Sequence, residues 1–310
     1  MKSVKNLLIV LVAGAVVAGC TKATYRKTAG GMPYQLYKGA DTQRIFSGNI
    51  LKLSFTQKVN DSVYFTNVGN PPFYSPVNEQ TMPYDLSELW TKMKVGDSVV
   101  AIQMMDTFIK RNPDLSKHYK RGDRIITLVK ILAAFKSNQE ATDDETKELQ
   151  NWKKKEAEQL GKYIADKKIN AQKTPSGAYV QIINPGTGDL IDSGNYVYVN
   201  YTGTSFSGKR FDSNTDTAFH HTEPYPFTAG HAEMISGFDE AVMFMRKGAV
   251  AKAWIPSTLA YGPKPGTPLI KPYENLIFDI EIVDVKEKAP GRAEEEQERR
   301  KKVDTPQPNK

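Results

Sequence analysis

Three features are scarce in this sequence: cysteine, clustered positive charge and long apolar segments. Of the 310 residues only Cys20 is a cysteine, so the chain has no pair that could form an internal disulfide. The net charge is +7, but Lys and Arg form no dense stripe and aromatic residues do not alternate with them, which argues against nucleic-acid binding. The apolar run over residues 7–17 is shorter than a bilayer span requires.

The N-terminal segment instead has the pattern of an export signal. Two lysines precede the apolar run, and small residues lead from Val17 directly into Cys20. This pattern resembles the lipobox of bacterial lipoproteins, in which the cysteine is acylated, with chains such as palmitate, and becomes the new N-terminus. The resemblance implies a signal peptide over residues 1–19, a lipidated tether over residues 20–26 and a lipid membrane as partner, since several acyl chains anchor a protein stably. An ordinary secretory peptide with an incidental cysteine remains the alternative.

The rest of the chain is long enough for two domains, and it contains an internal repeat. Residues 27–31 match residues 173–177, and a glutamine follows each segment at the same spacing. Further matches follow in the same order: residues 53–56 with 199–202, residues 86–93 with 238–245, and residues 125–132 with 276–283. We therefore predict an α+β protein with two copies of one unit, residues 27–136 and 173–288, each an antiparallel sheet wrapped round one short helix.

The segment between the copies has a helical composition. Residues 137–172 are rich in Glu, Lys, Ala and Gln, and they contain no proline. Four apolar side chains fall loosely on one helical face: Leu149, Trp152, Leu160 and Ile164. We predict a connecting helix, and a dimer formed through this helix or through the first copy stays open. Residues 289–310 are charged and poor in apolar side chains, which is typical of a disordered tail.

The second copy carries a series of motifs in a fixed order. They are VNYTG at residues 199–203, GKRFDS at 208–213, MISGFDEA at 234–241, IPS at 255–257, AYG at 260–262 and LIFDIE at 276–281. Together they resemble the FKBP family of peptidyl-prolyl cis-trans isomerases. The resemblance implies a proline-binding pocket lined by aromatic side chains, with no cofactor and no metal.

The family's functional positions can be transferred to this sequence residue by residue. The resemblance implies these catalytic residues: Tyr201, Asp212, Ile235 and Tyr261. It implies these substrate-binding residues: Phe211, Phe227, Met234, Phe238, Leu269, Ile270 and Phe278. Two features depart from the family: Phe238 stands where relatives often have Trp, and the loop from Pro263 to Pro272, which also carries Pro265 and Pro268, has Lys271 where relatives often have proline.

These residue types suit an isomerisation that makes and breaks no covalent bond. Rotation about a peptide bond has a barrier of about 18–20 kcal/mol because the planar amide is resonance-stabilised. An enzyme needs only to bind the twisted amide better than the planar one, and a dry aromatic pocket does so. By the resemblance, the Ile235 N–H and the Tyr261 hydroxyl would fix substrate carbonyls. Asp212 would face the twisted carbonyl carbon or hold Tyr201 in place.

The histidine-rich stretch after Asp212 suggests two further interpretations. His220, His221, Glu223 and His231 could be read as metal ligands, but adjacent residues on a strand point to opposite faces and the spacing matches no common ligand set. Contact with the flanks of a bound substrate is the interpretation we favour.

The first copy lacks most of the implied site. Alignment of the copies places Phe55 at Tyr201, Thr66 at Asp212, Phe65 at Phe211, Pro83 at Ile235, Ile109 at Tyr261 and Ile126 at Phe278. Proline has no N–H, so the backbone donor expected at Ile235 cannot exist there. We predict that residues 27–136 form a degenerate copy that binds, spaces or dimerises without isomerising.

The predicted function is isomerisation of X-Pro bonds in unfolded or nascent exported proteins. A chaperone that holds apolar client segments, or a docking module of an envelope assembly, remains open. The layout resembles lipoprotein isomerases of Bacteroidetes. Residues 21–23, directly after Cys20, contain no acidic run of the kind that would suggest transfer to the cell surface, so we expect a lipid anchor that faces the periplasm.

Overall fold

A computed structural model describes residues 25–117, 119–264 and 269–291. The predicted signal peptide, Cys20, Pro265, Pro268 and almost all of the charged tail lie outside these ranges. The described residues divide into two compact units. The first unit comprises residues up to 137 except 67–73, and the second comprises residues 67–73 and those from 138 onward.

The first unit is built on an antiparallel sheet with the strand order β1-β2-β6-β7-β3-β4, in which β5 also pairs with β3. The strands are β1 Arg26–Lys27, β2 Pro33–Tyr37, β3 Ile50–Val59, β4 Ser62–Thr66, β5 Phe73–Pro76, β6 Ser98–Met104 and β7 Arg124–Phe135. A 3₁₀ helix over Leu86–Lys92, helix α1 over Met105–Arg111 and a second 3₁₀ helix over Pro113–Lys117 complete it. Alternate residues of β7, such as Val129 and Ile131, point into a core that the first 3₁₀ helix closes with Leu89 and Trp90.

The second unit repeats this design with the strand order β12-β11-β16-β15-β9-β8, in which β13 also pairs with β11. The strands are β8 Gln172–Lys173, β9 Tyr179–Asn184, β10 Thr187–Leu190, β11 Tyr196–Ser205, β12 Arg210–Ser213, β13 Tyr225–Thr228, β14 Arg246–Lys247, β15 Val250–Ile255 and β16 Leu276–Lys286. β10 and β14 form a separate pair. The helices are α2 Asn138–Asp166, α3 Ser236–Val242 and 3₁₀ turns at Thr217–Phe219 and Ser257–Leu259. Helix α3 buries Phe238, Ala241 and Val242 against the sheet.

The predicted α+β architecture of two similar units is confirmed, and one polar contact recurs in both. In the first unit the Thr28 hydroxyl donates a 2.7 Å hydrogen bond to the Glu88 carboxylate. In the second unit the Thr174 hydroxyl donates a 2.6 Å hydrogen bond to the Glu240 carboxylate. In each case the backbone N–H two residues after the threonine donates to the same carboxylate. The short helix of each unit is thus attached to the turn between the first two strands of its sheet.

The register of the sheets corrects the alignment of the two copies in the β3–β4 hairpin. Thr56 pairs with Thr66 and their hydroxyls lie 2.8 Å apart. Thr202 pairs with Ser213 in the second unit, with hydroxyls also 2.8 Å apart. Thr66 is therefore the counterpart of Ser213, and its predicted equivalence to Asp212 is wrong by one residue.

The same reasoning corrects two further positions. Gln57 pairs with Phe65 and with Thr127, whereas its counterpart Gly203 pairs with Asp212 and with Phe278. The first unit therefore has Phe65 at the position of Asp212, and Thr127, not Ile126, at the position of Phe278. Turns of different length cause these shifts, and motif matching cannot detect them.

The sequence predicts that helix α2 is a connector, and the structure places it in the second unit, against which its C-terminal half packs. Leu160 and Ile164 are buried against Trp254 of β15, together with half-buried side chains such as Tyr163. Leu149, predicted on the same face, is exposed. Of the predicted apolar face, Leu160 and Ile164 are therefore covered within the chain and Leu149 is not. None of the helices in the described ranges is long and apolar enough to cross a membrane.

Candidate active site

The sheet of the second unit brings the predicted site residues together through the alternation of β11. Inward-facing residues of this strand include Val199, Tyr201 and Gly203. A side chain at Gly203 would lie 2.5 Å from the ring of Phe211 and 3.0 Å from that of Phe278, so glycine lets both rings lie over the strand. Tyr201 is thereby placed beside Phe278 of the neighbouring strand β16.

Four phenylalanines from four elements form an interlocked aromatic cluster. Ring centroids are 5.6 Å apart for Phe211 and Phe278, 5.1 Å for Phe238 and Phe278, and 6.1 Å for Phe227 and Phe238, all edge to face. The ring of Tyr201 meets that of Phe238 edge-on at 6.0 Å. Such edge-to-face pairs stabilise beyond the burial of area. The cluster therefore forms a rigid apolar floor with one hydroxyl at its edge.

Asp212 joins this floor to a polar rim through both carboxylate oxygens. The Tyr201 hydroxyl donates to Asp212 Oδ2 at 2.7 Å. The His221 ring nitrogen Nε2 lies 2.8 Å from Asp212 Oδ1, a hydrogen bond in which the imidazole N–H donates. The carboxylate is about two-fifths exposed, so it remains accessible to a ligand as well as to water.

The tyrosines of the site are held in the protonated form. Burial raises the pKa of Tyr201, and the hydrogen bond to the Asp212 carboxylate raises it further. Burial also raises the pKa of Tyr261, and the charge of Asp212 adds to this. Both hydroxyls are therefore hydrogen-bond donors at neutral pH, and the same carboxylate acts on both.

Ile235 lies at the N-terminus of α3, where a backbone donor is expected. Its carbonyl accepts hydrogen bonds from the N–H groups of Phe238 and Asp239, which begin the helix. Within the described ranges nothing accepts a hydrogen bond from the Ile235 N–H. The preceding Met234 is half-buried against the core. The predicted donor is thus free to bind a carbonyl group.

The remaining predicted residues come from the loop between β15 and β16. Ile270 is buried in the core, and Leu269 packs against it partly exposed. Tyr261 is 37% exposed at the rim. Lys271, the departure from the family pattern, has its N–H bound to the Glu274 carboxylate at 2.9 Å. All predicted site residues are therefore in one region, and they differ in how accessible they are.

An open cavity of about 650 Å³ lies beside Tyr201. The phenylalanine rings of the predicted pocket do not line it. It is lined by Tyr201 and residues 220–226, which include His221 and Tyr225. The rings of Phe227 and Phe238 have no exposed surface. In this structure a ligand can reach Tyr201 and the histidine-containing wall. Contact with Phe227 or Phe238 would require side chains above them to move.

Sequence reasoning did not assign His221 its position. The pattern favours contact with substrate flanks, which stays a prediction, and it gave no indication of the hydrogen bond between His221 and Asp212. It lies in a loop outside regular secondary structure, so no periodicity indicated which way it faces. Among the described residues no three His, Cys, Asp or Glu side chains stand close enough to hold a metal ion.

The first unit has apolar pairs where the second has polar ones. The rings of Phe55 and Phe65 stack at 4.9 Å, at the positions where Tyr201 and Asp212 form their hydrogen bond. After β6 the chain forms helix α1, in which Ile109 is buried. The second unit has at this point a short 3₁₀ turn followed by Tyr261. The hydroxyl and carboxylate of the candidate site therefore have no counterparts in the described part of the first unit.

Comparison with known proteins gives consistent matches. The family model described as FKBP-type peptidyl-prolyl cis-trans isomerase matches residues 188–283. The Escherichia coli K12 protein named FKBP-type peptidyl-prolyl cis-trans isomerase FkpA is 33% identical over 158 residues, which are 51% of this chain and 52% of FkpA. The Legionella longbeachae protein named outer membrane protein MIP is 36% identical over 115 residues, 37% of this chain and 47% of that protein. The chain thus spans about half the length of these two relatives.

A shorter relative is covered almost completely. The Schizosaccharomyces pombe protein named peptidyl-prolyl cis-trans isomerase is 36% identical over 113 residues, which are 36% of this chain and 97% of that protein. The family match includes Tyr201, Asp212 and Tyr261, the residues that the fold brings to one rim. The motifs, the geometry of the site and the match to a relative that is covered over almost its whole length all agree. This chain belongs to the FKBP-type peptidyl-prolyl cis-trans isomerase family.

Proposed function

We propose that the second unit catalyses cis-trans isomerisation of X-Pro bonds in exported proteins. The observation that carries this proposal is the hydrogen bond between Tyr201 and Asp212 at the edge of an interlocked phenylalanine floor. Core packing alone would not require a buried hydroxyl and a carboxylate there. An apolar surface with a few convergent polar groups is what a proline ring and its flanking amides require.

The floor favours the twisted amide over the planar one. Rotation removes the resonance that separates charge between nitrogen and oxygen, so the twisted amide loses less than the planar amide when it leaves water. The apolar rings of Phe278 and Tyr201 offer such a dry surface. Binding energy that is larger for the twisted form lowers the barrier without a nucleophile.

The polar groups then orient the substrate. The Ile235 N–H and the Tyr261 hydroxyl donate to carbonyl oxygens on either side of the reacting bond. A backbone N–H is always a donor, and the Tyr261 hydroxyl is one at neutral pH because burial raises its pKa. The Asp212 carboxylate holds the Tyr201 ring by accepting a hydrogen bond from the Tyr201 hydroxyl. The exposed part of the same carboxylate faces the substrate.

The proposed location is the cell envelope, with a lipid anchor at Cys20 facing the periplasm. Support comes from the export-signal pattern and from the placement of the one cysteine directly after small residues. Growth with a radiolabelled fatty acid tests the anchor. Label should enter the wild-type protein and not a Cys20→Ala variant, and equal labelling of both would contradict it.

A second candidate function is client holding by the first unit. Several of its large apolar side chains are mostly exposed: Phe46, Val63, Tyr64 and Met82. A contiguous exposed apolar patch marks a binding surface, and in this candidate function these side chains contribute to one. In this interpretation the first unit retains unfolded segments while the second unit isomerises their prolines.

The test is a peptide isomerisation assay with a soluble chain that starts at Thr21. Proline peptides with different preceding residues report cis-to-trans conversion, and Asp212→Leu/Phe278→Ala removes the carboxylate and one ring of the floor. Asp189→Leu/Val283→Ala is the matched control, because both of its positions are exposed in the same unit.

The expected result is acceleration by the wild type and the control, and none by the site variant, with equal circular dichroism for all three. If the folded wild type accelerates no peptide above background, the isomerase proposal fails and client holding becomes the leading function.

A further inference from the structure

Helix α2 inserts a buried carboxylate into the turn that precedes Tyr261. Glu156 is 1% exposed, although it lies on a helix that is mostly solvated. Its Oε1 accepts a 2.9 Å hydrogen bond from the Ser257 N–H. Its Oε2 accepts hydrogen bonds from the Thr258 N–H at 3.1 Å and the Thr258 hydroxyl at 2.9 Å. One side chain thus binds the first two residues of the 3₁₀ turn Ser257–Leu259.

This carboxylate is bound only by neutral donors. In the described ranges no Lys, Arg or His forms an ion pair with Glu156. Burying a charged group is unfavourable unless hydrogen bonds compensate for the lost water. The three donors of Ser257 and Thr258 supply that compensation. Burial of the Glu156 carboxylate therefore depends on the conformation of the Ser257–Leu259 turn, and the turn is stabilised by the carboxylate.

The turn transmits this constraint to Tyr261 over a few residues. The Ser257 carbonyl accepts hydrogen bonds from the N–H groups of Ala260 at 3.0 Å and Gly262 at 2.9 Å. Tyr261 lies between these two donors, so its backbone is fixed relative to Ser257. Its side chain is partly exposed at the rim.

Helix α2 also contacts the far end of the same loop. The ring of Trp152, one turn before Glu156, meets the ring of Tyr273 edge-on at 5.6 Å. The Tyr273 N–H donates to the Gly262 carbonyl at 2.8 Å. The helix therefore holds both ends of the loop that carries Tyr261, and its own position is fixed by Leu160.

We propose that Glu156 is a positioning residue for the isomerase reaction, which acts by holding the Ser257–Leu259 turn so that the Tyr261 hydroxyl meets a substrate carbonyl. The inference rests on the proposed function, because it assigns α2 a part in that same site. Helix α2, which lies between the two copies in the sequence, then positions a catalytic group of the second unit.

The first experiment measures amide exchange in the full chain, independently of activity. We expect Glu156→Ala to speed exchange in residues 257–262 by more than about tenfold, since hydrogen bonds to a charged group are among the stronger ones in a protein. Exchange in strand β16 should not change. Glu158→Ala is the matched control on the exposed face of the same helix. Unchanged exchange in residues 257–262 would overturn the proposal.

The second experiment is a double-mutant cycle on isomerase activity. If Glu156 acts through Tyr261, Glu156→Ala should lower kcat/KM by about tenfold in the wild-type background and by less than about twofold in a Tyr261→Phe background. Glu156→Gln keeps the shape and one acceptor oxygen, so its effect should be intermediate, and it replaces Glu156→Ala if that variant does not fold. A purely structural role would give equal losses in both backgrounds, which would overturn the proposal.

The two experiments separate the two ideas. If the wild-type chain does not isomerise any peptide, the proposed function fails, and the catalytic role of Glu156 fails with it. The exchange data would still decide whether Glu156 holds the turn. If the wild type is active and the cycle is additive, the isomerase function stands and only the role of Glu156 is rejected.

Discussion

The hydroxyl of Tyr201 donates a 2.7 Å hydrogen bond to Asp212, and the carboxylate in turn raises the pKa of that hydroxyl beyond the effect of burial. The bond fixes the plane of the Tyr201 ring against Phe238 and Phe278. It also keeps a charged group within reach of the apolar floor. Orientation of a ring and placement of a charge therefore depend on one contact.

Removing that contact should reduce activity without unfolding the protein. Tyr201→Phe keeps the ring but loses the hydroxyl, and we expect kcat/KM to fall by about 5- to 10-fold, as for a typical hydrogen bond to a charged group that water can partly replace. Tyr198→Phe, on the opposite face of β11, is the control and should keep full activity. Peptide isomerisation kinetics measure both. Equal activity of the two variants would contradict the role of the hydroxyl.

His221 should contribute less than Tyr201, and through the same carboxylate. His221→Leu removes the donor to Asp212, for which we expect a loss of about 2- to 5-fold in kcat/KM. His221→Gln keeps an N–H donor and should retain most of the activity. His231→Leu, at an exposed position, serves as the control. A larger loss for His221→Gln than for His221→Leu would show that the donor is not what matters.

The raised pKa values of the two tyrosines predict tolerance of alkaline pH. Burial comes first and Asp212 second in raising the pKa of Tyr201 and Tyr261 above the ordinary value of 10. Activity should therefore stay constant from neutral pH to pH 10. Because the folded state favours the neutral hydroxyls, their contribution to stability is complete below pH 10 and is lost as the pH rises through the folded-state pKa values.

Kinetics and tyrosinate absorbance check this together. The difference in absorbance between wild type and Tyr201→Phe should rise only beyond the pH range in which exposed tyrosines ionise. A loss of activity centred below pH 10 that Tyr261→Phe abolishes would contradict the assignment.

Glu88 should stabilise the first unit at neutral pH and lose its effect in acid. Burial alone would raise its pKa, but hydrogen bonds from Thr28, Gly30 and Tyr84 outweigh burial and lower the pKa from its ordinary 4.5. A lowered folded-state value means stability that is present above pH 4.5 and lost as the pH falls through the folded-state pKa. Glu88→Gln should cost about 1–3 kcal/mol at neutral pH.

Amide exchange in β6 and β7 as a function of urea measures this cost for the first unit alone. The difference from wild type should shrink below pH 4.5. Glu79→Gln, at an exposed position, should match wild type throughout. A Glu88→Gln effect that does not change with pH would mean that shape, not charge, stabilises the contact.

The packing of helix α2 predicts unequal effects of two identical substitutions. Leu160→Ala leaves a cavity beside Trp254 and should lower the free energy of unfolding of the second unit by about 2–5 kcal/mol. Leu149→Ala, on the same helix but exposed, should change it by less than about 0.5 kcal/mol. Chemical denaturation followed by amide exchange in β15 and β16 gives both values. Similar values would show that the helix does not pack as described.

Much of this fold could be predicted from the sequence because motif order survives changes in loop length. The residues Tyr201 and Phe278 lie on long strands whose alternation sets the direction of each side chain, so their meeting was predictable. The counterpart of Asp212 in the first unit was not, because the β3–β4 hairpin is one residue shorter than the β11–β12 hairpin, which shifts the alignment of β4 by one position. Phe65 therefore replaced Thr66 in the comparison of the two units.

Two contacts of the site could not be predicted for a different reason. His221 lies in a loop, where backbone conformation and not periodicity decides which way a side chain faces. Glu156 is separated from Ser257 by 101 residues and appears in the sequence as one of many charges on a solvated helix. Neither local propensity nor hydrophobic pattern distinguishes it from Glu158, one half-turn further on. Only the packed structure does so.

Glu88 and Glu240 make the same contact in the two units, since each carboxylate accepts a hydrogen bond from a threonine hydroxyl. The two units otherwise differ in the candidate site. Since only the second unit has a catalytic role under the proposed function, stability of the fold accounts for a contact that is present in both units. The first unit is therefore an internal control: it has a similar scaffold but lacks the hydroxyl and the carboxylate of the candidate site. Grafting groups of the second unit into the first, one at a time, would measure what each adds to a framework that already folds.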